Sequence, residues 1–202
     1  MPTILAIETS TRTGSVALAR DGVLLSEETF VAERSHNSHI FAPLSELIGD
    51  AEIDAVVVGT GPGSYTGVRI GIATAIGISL ARDIPLIGVP SVCGIDCDGD
   101  YRVVGDARRG SWFLAHVVRG EMTVDPKLMA YEAIEHQIKG EVFTFDVKFP
   151  DERVKVMTPA AGVLAKRQSL RALNNLPTAA VEPIYLAAPF ITTPKGRGKT
   201  LD

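Results

Sequence analysis

The residues best spaced for chemistry lie between Gly59 and Gly71, in the run GTGPGSYTGVRIG. A glycine-rich turn between an apolar run (Ala55–Val58) and a helix-like segment is where phosphate is often cradled, because backbone amides and the helix dipole favour an anion. A Walker A loop needs Gly-x4-Gly-Lys-Ser/Thr, its lysine reaching the terminal phosphates. Here Val68 follows Gly67 and no register supplies that lysine. A dinucleotide fingerprint needs Gly-x-Gly-x-x-Gly, but Gly61-x-Gly63 is followed by Thr66, with Gly67 one place late. The pattern therefore reads as a type II turn over Gly61-Pro62-Gly63-Ser64, with positive φ at Gly63. Ser64 or Thr66 caps the helix that follows. The hydroxyls of Thr9, Ser10 and Thr11 are the other candidates for contact with a nucleotide phosphate, and they read equally well as hairpin-turn residues.

The remaining reactive side chains do not assemble into a familiar site. His36 and His39 share a helical spacing, but no third ligand accompanies them and no metal is expected. Asp96, Asp98 and Asp100 begin like a calcium loop, yet its glycine position is Tyr101 and its closing glutamate is Ala107. GKT (Gly198–Thr200) ends like a Walker A motif with Thr193 in place of the first glycine. Cys93 and Cys97 lack the CxxC spacing of a redox or zinc pair. No serine, histidine and acid form a triad pattern, so no catalytic residue is expected. Hydrophobic residues make up 46% of the 202 and charged ones 22%, enough to bury the core of an ordinary soluble protein. The net charge of −4 gives no overall basic field for nucleic acid or an anionic membrane. No signal peptide or spanning run is visible, and a cytoplasmic chain is expected.

The elements that must position these residues come in a repeated order. Thr3–Ser10, Gly14–Ala19 and Val23–Phe30 read as strands, the last two joined by the hairpin signal Asp21-Gly22. Ile40, Leu44, Leu47 and Ile48 then fall at helical spacing. Ala55–Val58 is a short buried strand, Gly67–Ala81 a helix, and Ile84–Val89 a strand. The second half repeats the order: strands at Arg102–Asp106 and Ser111–Val118, a turn at Arg119-Gly120 and a weaker strand. A helix at Tyr131–Ile138, a strand at Val142–Phe145 and a helix at Ala160–Ala172 follow. Two tandem βββαβα lobes describe the α/β actin/hexokinase-like (ASKHA) fold. The expected division is 1–101 and 102–202, with Thr192–Asp202 as a flexible tail.

The helix Gly67–Ala81 is apolar nearly all round, so both sides should be buried. Gly67, Gly71 and Ala75 line one side, Ala73, Gly77 and Ala81 adjoin them, and Val68, Ile72, Ile76 and Leu80 lie opposite. Each interior glycine costs roughly 0.8–1.0 kcal/mol relative to alanine, so a closely approaching backbone must offset the cost at Gly71 and Gly77. Arg69 sits where the helix dipole disfavours a cation, and an acidic partner is expected for it.

GTGPGSYTGVRIGIATAIGISLA, with ILAIETSTRTGSVAL before it and IPLIGVPS after it, resembles the bacterial tRNA threonylcarbamoyladenosine biosynthesis proteins of the TsaB (YeaZ) family. DARRG (Asp106–Gly110) and EPIYL (Glu182–Leu186) extend the similarity. The resemblance implies the same actin-like fold and a non-catalytic subunit that binds and activates a catalytic paralogue, TsaD. TsaD threonylcarbamoylates the adenosine beside the anticodon in tRNAs reading codons that begin with A. The resemblance further implies an ATPase partner, TsaE, contact with tRNA only through the complex, a homodimer when alone, and no membrane contact. No cofactor is implied for this chain alone, with ATP or ADP entering in the complex. In that family the two helices of the first lobe form the subunit interface. This places the contact at Phe41 and Leu44 and at Tyr65, Val68, Arg69, Gly71, Ala75 and Ile78, so a Gly71→Leu change should block association.

Catalytic paralogues carry His-x-Glu-Gly-His after the strand equivalent to Ile84–Val89, whereas Pro90–Asp96 here contains no histidine. The second-lobe turn Asp106–Gly110 holds two bulky cations where a phosphate turn is glycine-rich. A family histidine before the first helix has two candidates, His36 and His39, and the basic residues that usually follow the C-terminal Tyr-Leu are missing. The alternatives are an independent actin-like ATPase or phosphotransferase, and a protein that pairs only with itself.

Overall fold

The computed structural model describes residues 2–31, 37–108, 110–146, 148–171 and 180–186. His36, Arg109, Ala187 and the tail with its GKT run lie outside the described residues. The first half runs β1 (Thr3–Glu8), β2 (Thr13–Arg20), β3 (Val23–Val31), α1 (Asn37–Ile48), β4 (Ala55–Gly59), α2 (Tyr65–Arg82) and β5 (Leu86–Val89). After a 3-10 turn at Ser91–Gly94 come β6 (Tyr101–Asp106), β7 (Trp112–Val118), β8 (Glu121–Met129), α3 (Tyr131–Glu135), β9 (Val142–Thr144), β10 (Lys155–Val156) and α4 (Ala161–Ser169).

The duplication read from the sequence is borne out in the sheets. The first has the order β3-β2-β1-β4-β5 and the second β8-β7-β6-β9-β10, the same path at the same five places. In each, the first three strands are antiparallel neighbours and the last two extend the sheet in parallel. Both hairpins turn through paired positive-φ residues, Asp21-Gly22 at 53° and 73° and Arg119-Gly120 at 52° and 77°. That is the type I′ geometry whose twist matches the flanking strands. The architecture is the expected actin/hexokinase-like α/β fold. The copies differ most between their parallel strands: β4 and β5 are bridged by α2, whereas among the described residues a loop joins β9 to β10. Three sequence expectations need correction. α3 stops at Glu135 instead of Ile138, β10 was not anticipated because only two residues pair, and α4 ends at Ser169.

β1 is buried along its whole length because the sheet is covered on both faces. Successive side chains point to opposite faces. Leu5, Ile7, Val16, Leu18, Val56 and Val58 pack under α1 and α2, meeting Ile40, Leu44, Val68 and Ile72. Ile4, Ala6, Ala17, Ala19 and Val57 face a second core, shared with Val103, Phe113 and Phe143 of the other sheet and with Ala161, Leu164 and Ala165 of α4. The alanines on that face leave room for α4, whose first amides are taken by the first sheet. Ala161 N–H donates to Ser15 Oγ at 2.8 Å and Gly162 N–H to Glu27 Oε1 at 2.8 Å. An acid at a helix N-terminus also complements the dipole. At the other end of α4, Arg167 donates to the carbonyls of Cys93, Ile95 and Cys97, tying the helix to the segment between the sheets. Cys93 is buried there, and burial pushes its thiol up to about 11, the reverse of a reactive thiol. No helix among the described residues is long and apolar enough to cross a membrane.

Candidate functional site

The glycine stretch is a connector several of whose amides are already committed. Thr60 N–H donates to Val89 O at 2.8 Å, Gly61 N–H to Ser91 Oγ at 2.9 Å and Ser64 N–H to Ser10 O at 2.6 Å. Gly67 N–H donates to Ser64 Oγ at 3.2 Å, which makes Ser64 the N-cap of α2. The turn is not the type II turn read from Pro62 and Gly63. The positive φ, 91°, falls at Gly61, and the Gly61–Pro62 peptide is cis. Gly63 is needed for close approach, since a Cβ there would lie 2.3 Å from Ser10 O.

α2 divides into an inner and an outer face. Val68, Gly71, Ile72 and Ala75 are buried toward the sheet. A Cβ on Gly71 would lie 2.3 Å from Thr9 Oγ1, the hydroxyl that donates to Gly67 O at 2.8 Å. What approaches this glycine is therefore not another backbone, as the sequence suggested, but the side chain of Thr9, just past the end of β1. The outer face carries Thr66, Arg69, Ile70, Ala73, Thr74, Gly77, Ile78 and Ala81, which with Phe41 and Leu44 of α1 line a groove of about 810 Å3. Among the described residues, nothing lies within 4 Å of a Cβ placed on Gly77. Phe41 is 57% exposed and Tyr65 50%, so large apolar surface flanks this glycine.

The polar end of the groove is Arg69. Its Nε donates to the Tyr185 hydroxyl at 2.8 Å, and its guanidinium carbon lies 3.9 Å from the centre of the Tyr65 ring. The two rings are 5.6 Å apart. The acidic partner expected for Arg69 is replaced, among the described residues, by this aromatic pair, and the Tyr185 hydrogen bond holds the guanidinium pKa above its ordinary value.

Between the lobes lies a second cavity, about 690 Å3, where the β1–β2 turn (Ser10, Thr11, Arg12) meets the β6–β7 turn (Asp106, Ala107, Arg108), with Asp146 and Pro183–Leu186 closing it. Thr9 is committed to Gly67, Thr11 Oγ1 donates to Thr13 O at 2.7 Å, and Ser10 Oγ is sealed from solvent. Across the cleft Asp106 Oδ1 accepts from Arg108 N–H at 2.7 Å, with Arg108 at φ 73° where glycine would be unstrained. Beneath the cleft Glu8 is fully buried. Burial raises its pKa, opposed by hydrogen bonds that include Ser10 N–H at 2.6 Å. Gly59 makes room for it, because a Cβ there would lie 1.9 Å from Glu8 Oε2.

The family model described as tRNA N6-adenosine threonylcarbamoyltransferase, TsaD, matches residues 30–127. An uncharacterized protein of Mycobacterium tuberculosis is 38% identical over 137 residues, 63% of this chain and 65% of that protein. The tRNA threonylcarbamoyladenosine biosynthesis protein TsaB of Bacillus subtilis is 36% identical over 118 residues, 54% of this chain and 52% of its own. The matched part of the chain thus spans less than two thirds of these relatives' length. A crystal structure from Pseudomonas aeruginosa, of an uncharacterized protein with similarity to peptidase YeaZ, superposes with a TM-score of 0.69. It covers 93% of this chain and all of that one, and at 24% identity it speaks for the fold. The chain is thus similar in sequence to TsaB proteins and in fold to a YeaZ-like protein.

The eight residues expected at a subunit contact separate by burial. Phe41, Leu44, Tyr65, Arg69 and Ile78 line the groove, whereas Val68, Gly71 and Ala75 belong to the core beneath it. Correcting those three also corrects the Gly71→Leu test, which would strike Thr9 inside the lobe instead of a partner outside it. Sequence reasoning left Thr66, Ile70, Ala73, Thr74, Gly77 and Ala81 out of the contact. Their signal is an outward stripe at spacings of three and four, parallel to the Gly67-Gly71-Ala75 stripe one step around the helix. His39 is exposed on α1, apart from both cavities.

Proposed function

We propose that the chain is an accessory subunit in tRNA threonylcarbamoyladenosine biosynthesis, and that its α1–α2 groove docks the TsaD-like threonylcarbamoyltransferase. The observation that carries this reading is the outer face of α2. Gly77 lowers helix stability and meets none of the described residues, while Phe41, Tyr65, Ile76 and Leu80 stand exposed around it. A second helix seated in the groove would contact the Gly77 backbone and cover that apolar surface. The names of the TsaB relatives and the TsaD family match support the same pathway.

A non-catalytic role fits the cleft. The hydroxyls of Thr9 and Thr11 serve the backbone, Ser10 Oγ is sealed, and the second-lobe turn carries Arg108 in a glycine-like conformation. The segment after β5 is a buried 3-10 turn, Ser91–Gly94, with Ser91 Oγ holding Gly61. In this reading ATP or ADP, the TsaE-like ATPase and tRNA are met in the assembled complex, in the cytoplasm, and self-pairing through the groove stands in when the partner is absent.

The test is reconstitution. Threonylcarbamoylation of an ANN-decoding tRNA by the TsaD-like enzyme and its ATPase should require this chain, and the chain alone should not turn over ATP. Full activity without it would refute the role. ATP turnover by the isolated chain would instead establish the independent ATPase.

A further inference from the structure

The groove's charge is unpaired in a way its apolar lining is not. Of the described residues that line it, Arg69 alone carries a charge, and no carboxylate is among them. The partners that hold Arg69 are neutral: the Tyr185 hydroxyl at 2.8 Å and the Tyr65 ring face at 3.9 Å. A phenol and a ring quadrupole fix a guanidinium in place without cancelling its charge. Tyr185 reaches α2 from far along the chain, on a segment with its own anchors. Ile184 N–H donates to Thr60 O at 2.8 Å, Val181 packs on Gly88, and Leu186 packs against the inter-sheet core. The cation is thus held at the groove's end by a strap that its own helix does not supply.

Resting on the docking role proposed above, we infer that Arg69 sorts the groove's occupants by charge. It selects a partner protein that presents an apolar helix surface with a carboxylate placed to meet the guanidinium. It disfavours a second copy of this chain, which, pairing groove to groove, brings another Arg69 and no carboxylate among the described lining residues. Tyr185 is the positioning residue, since its hydroxyl sets where the charge stands. An arginine held this way is prepared for carboxylate recognition with little further loss of side-chain freedom.

The experiment measures two affinities for the full chain: for itself, by sedimentation, and for the TsaD-like enzyme of the same source, by titration calorimetry, at low and high salt. Arg69→Ala and Tyr185→Phe should each weaken the heterocomplex, Arg69→Ala by about tenfold or more, and reduce its salt dependence. Self-association should be unchanged or strengthened. Tyr185→Phe keeps the ring and removes only the hydroxyl, and unchanged thermal midpoints certify both folds. Equal weakening of both complexes by Arg69→Ala would overturn the inference. So would unaltered heterocomplex affinity in both variants while Gly77→Trp, which fills the groove, abolishes binding; docking would then stand without charge sorting. If Gly77→Trp also binds normally, the docking role itself falls.

Discussion

Glu8 is the residue whose chemistry differs most from its ordinary state. Its carboxyl is wholly buried, and burial raises its pKa from the usual 4.5 against the hydrogen bonds from Ser10 and Ser91. A raised folded-state pKa means that the folded chain binds this proton more tightly than the unfolded chain. The contribution to stability is complete below the unfolded value and is lost as pH rises through the folded one. Glu8→Gln keeps the shape and removes the ionisation. Its stability relative to the parent should therefore increase as pH climbs from about 4.5 toward neutrality. Urea unfolding across that range measures it, and parallel pH profiles for the two proteins would contradict the assignment. Glu8 was legible in the sequence as the end of a strand. Its burial was not, because that depends on Gly59 and Ser91, which arrive from β4 and from the turn after β5.

At the scale of the element, α2 holds two glycines with opposite roles. Gly71 faces Thr9 at a distance no Cβ tolerates, while Gly77 faces open space. Gly71→Ala should destabilise the chain by about 1–3 kcal/mol through overpacking. Gly77→Ala should stabilise the isolated chain by roughly 0.8–1.0 kcal/mol, the helix-propensity difference. Thermal unfolding of the two variants reads both signs, and a loss of stability in Gly77→Ala would mean that its outer face is covered from within. The helix itself was plain in the sequence from Gly67 to Ala81, as was its unusual apolarity all round. Which stripe met the sheet was not, because Gly67-Gly71-Ala75 and Ala73-Gly77-Ala81 are chemically alike. The decision rests with Thr9, whose hydroxyl needs the carbonyl of Gly67. Likewise Pro62 and Gly63 favour a type II turn locally, but the approach of Ser10 and the hydrogen bonds of Gly61 and Ser64 impose another path.

For the molecule as a whole, the strand order was readable because alternation and hairpin glycines recur at matching places in each half. The asymmetry between the halves was not readable. α4 follows the second sheet in the chain yet lays its N-terminus on Ser15 and Glu27 of the first, a tertiary docking that periodicity does not encode. The groove is the product of that asymmetry, since among the described residues only the first sheet carries a crossover helix between its parallel strands, and none of them lies within 4 Å of a Cβ on Gly77 at the outer face of that helix. The central claim is that another protein of the same pathway covers it. Size-exclusion chromatography with light scattering tests this most directly, on the chain mixed with the TsaD-like protein of its own source and with a Gly77→Trp variant alongside. The account predicts a one-to-one heterodimer that forms at the expense of any homodimer and is lost in the variant. A chain that elutes unchanged with the TsaD-like protein, with or without ATP and the ATPase, would contradict it.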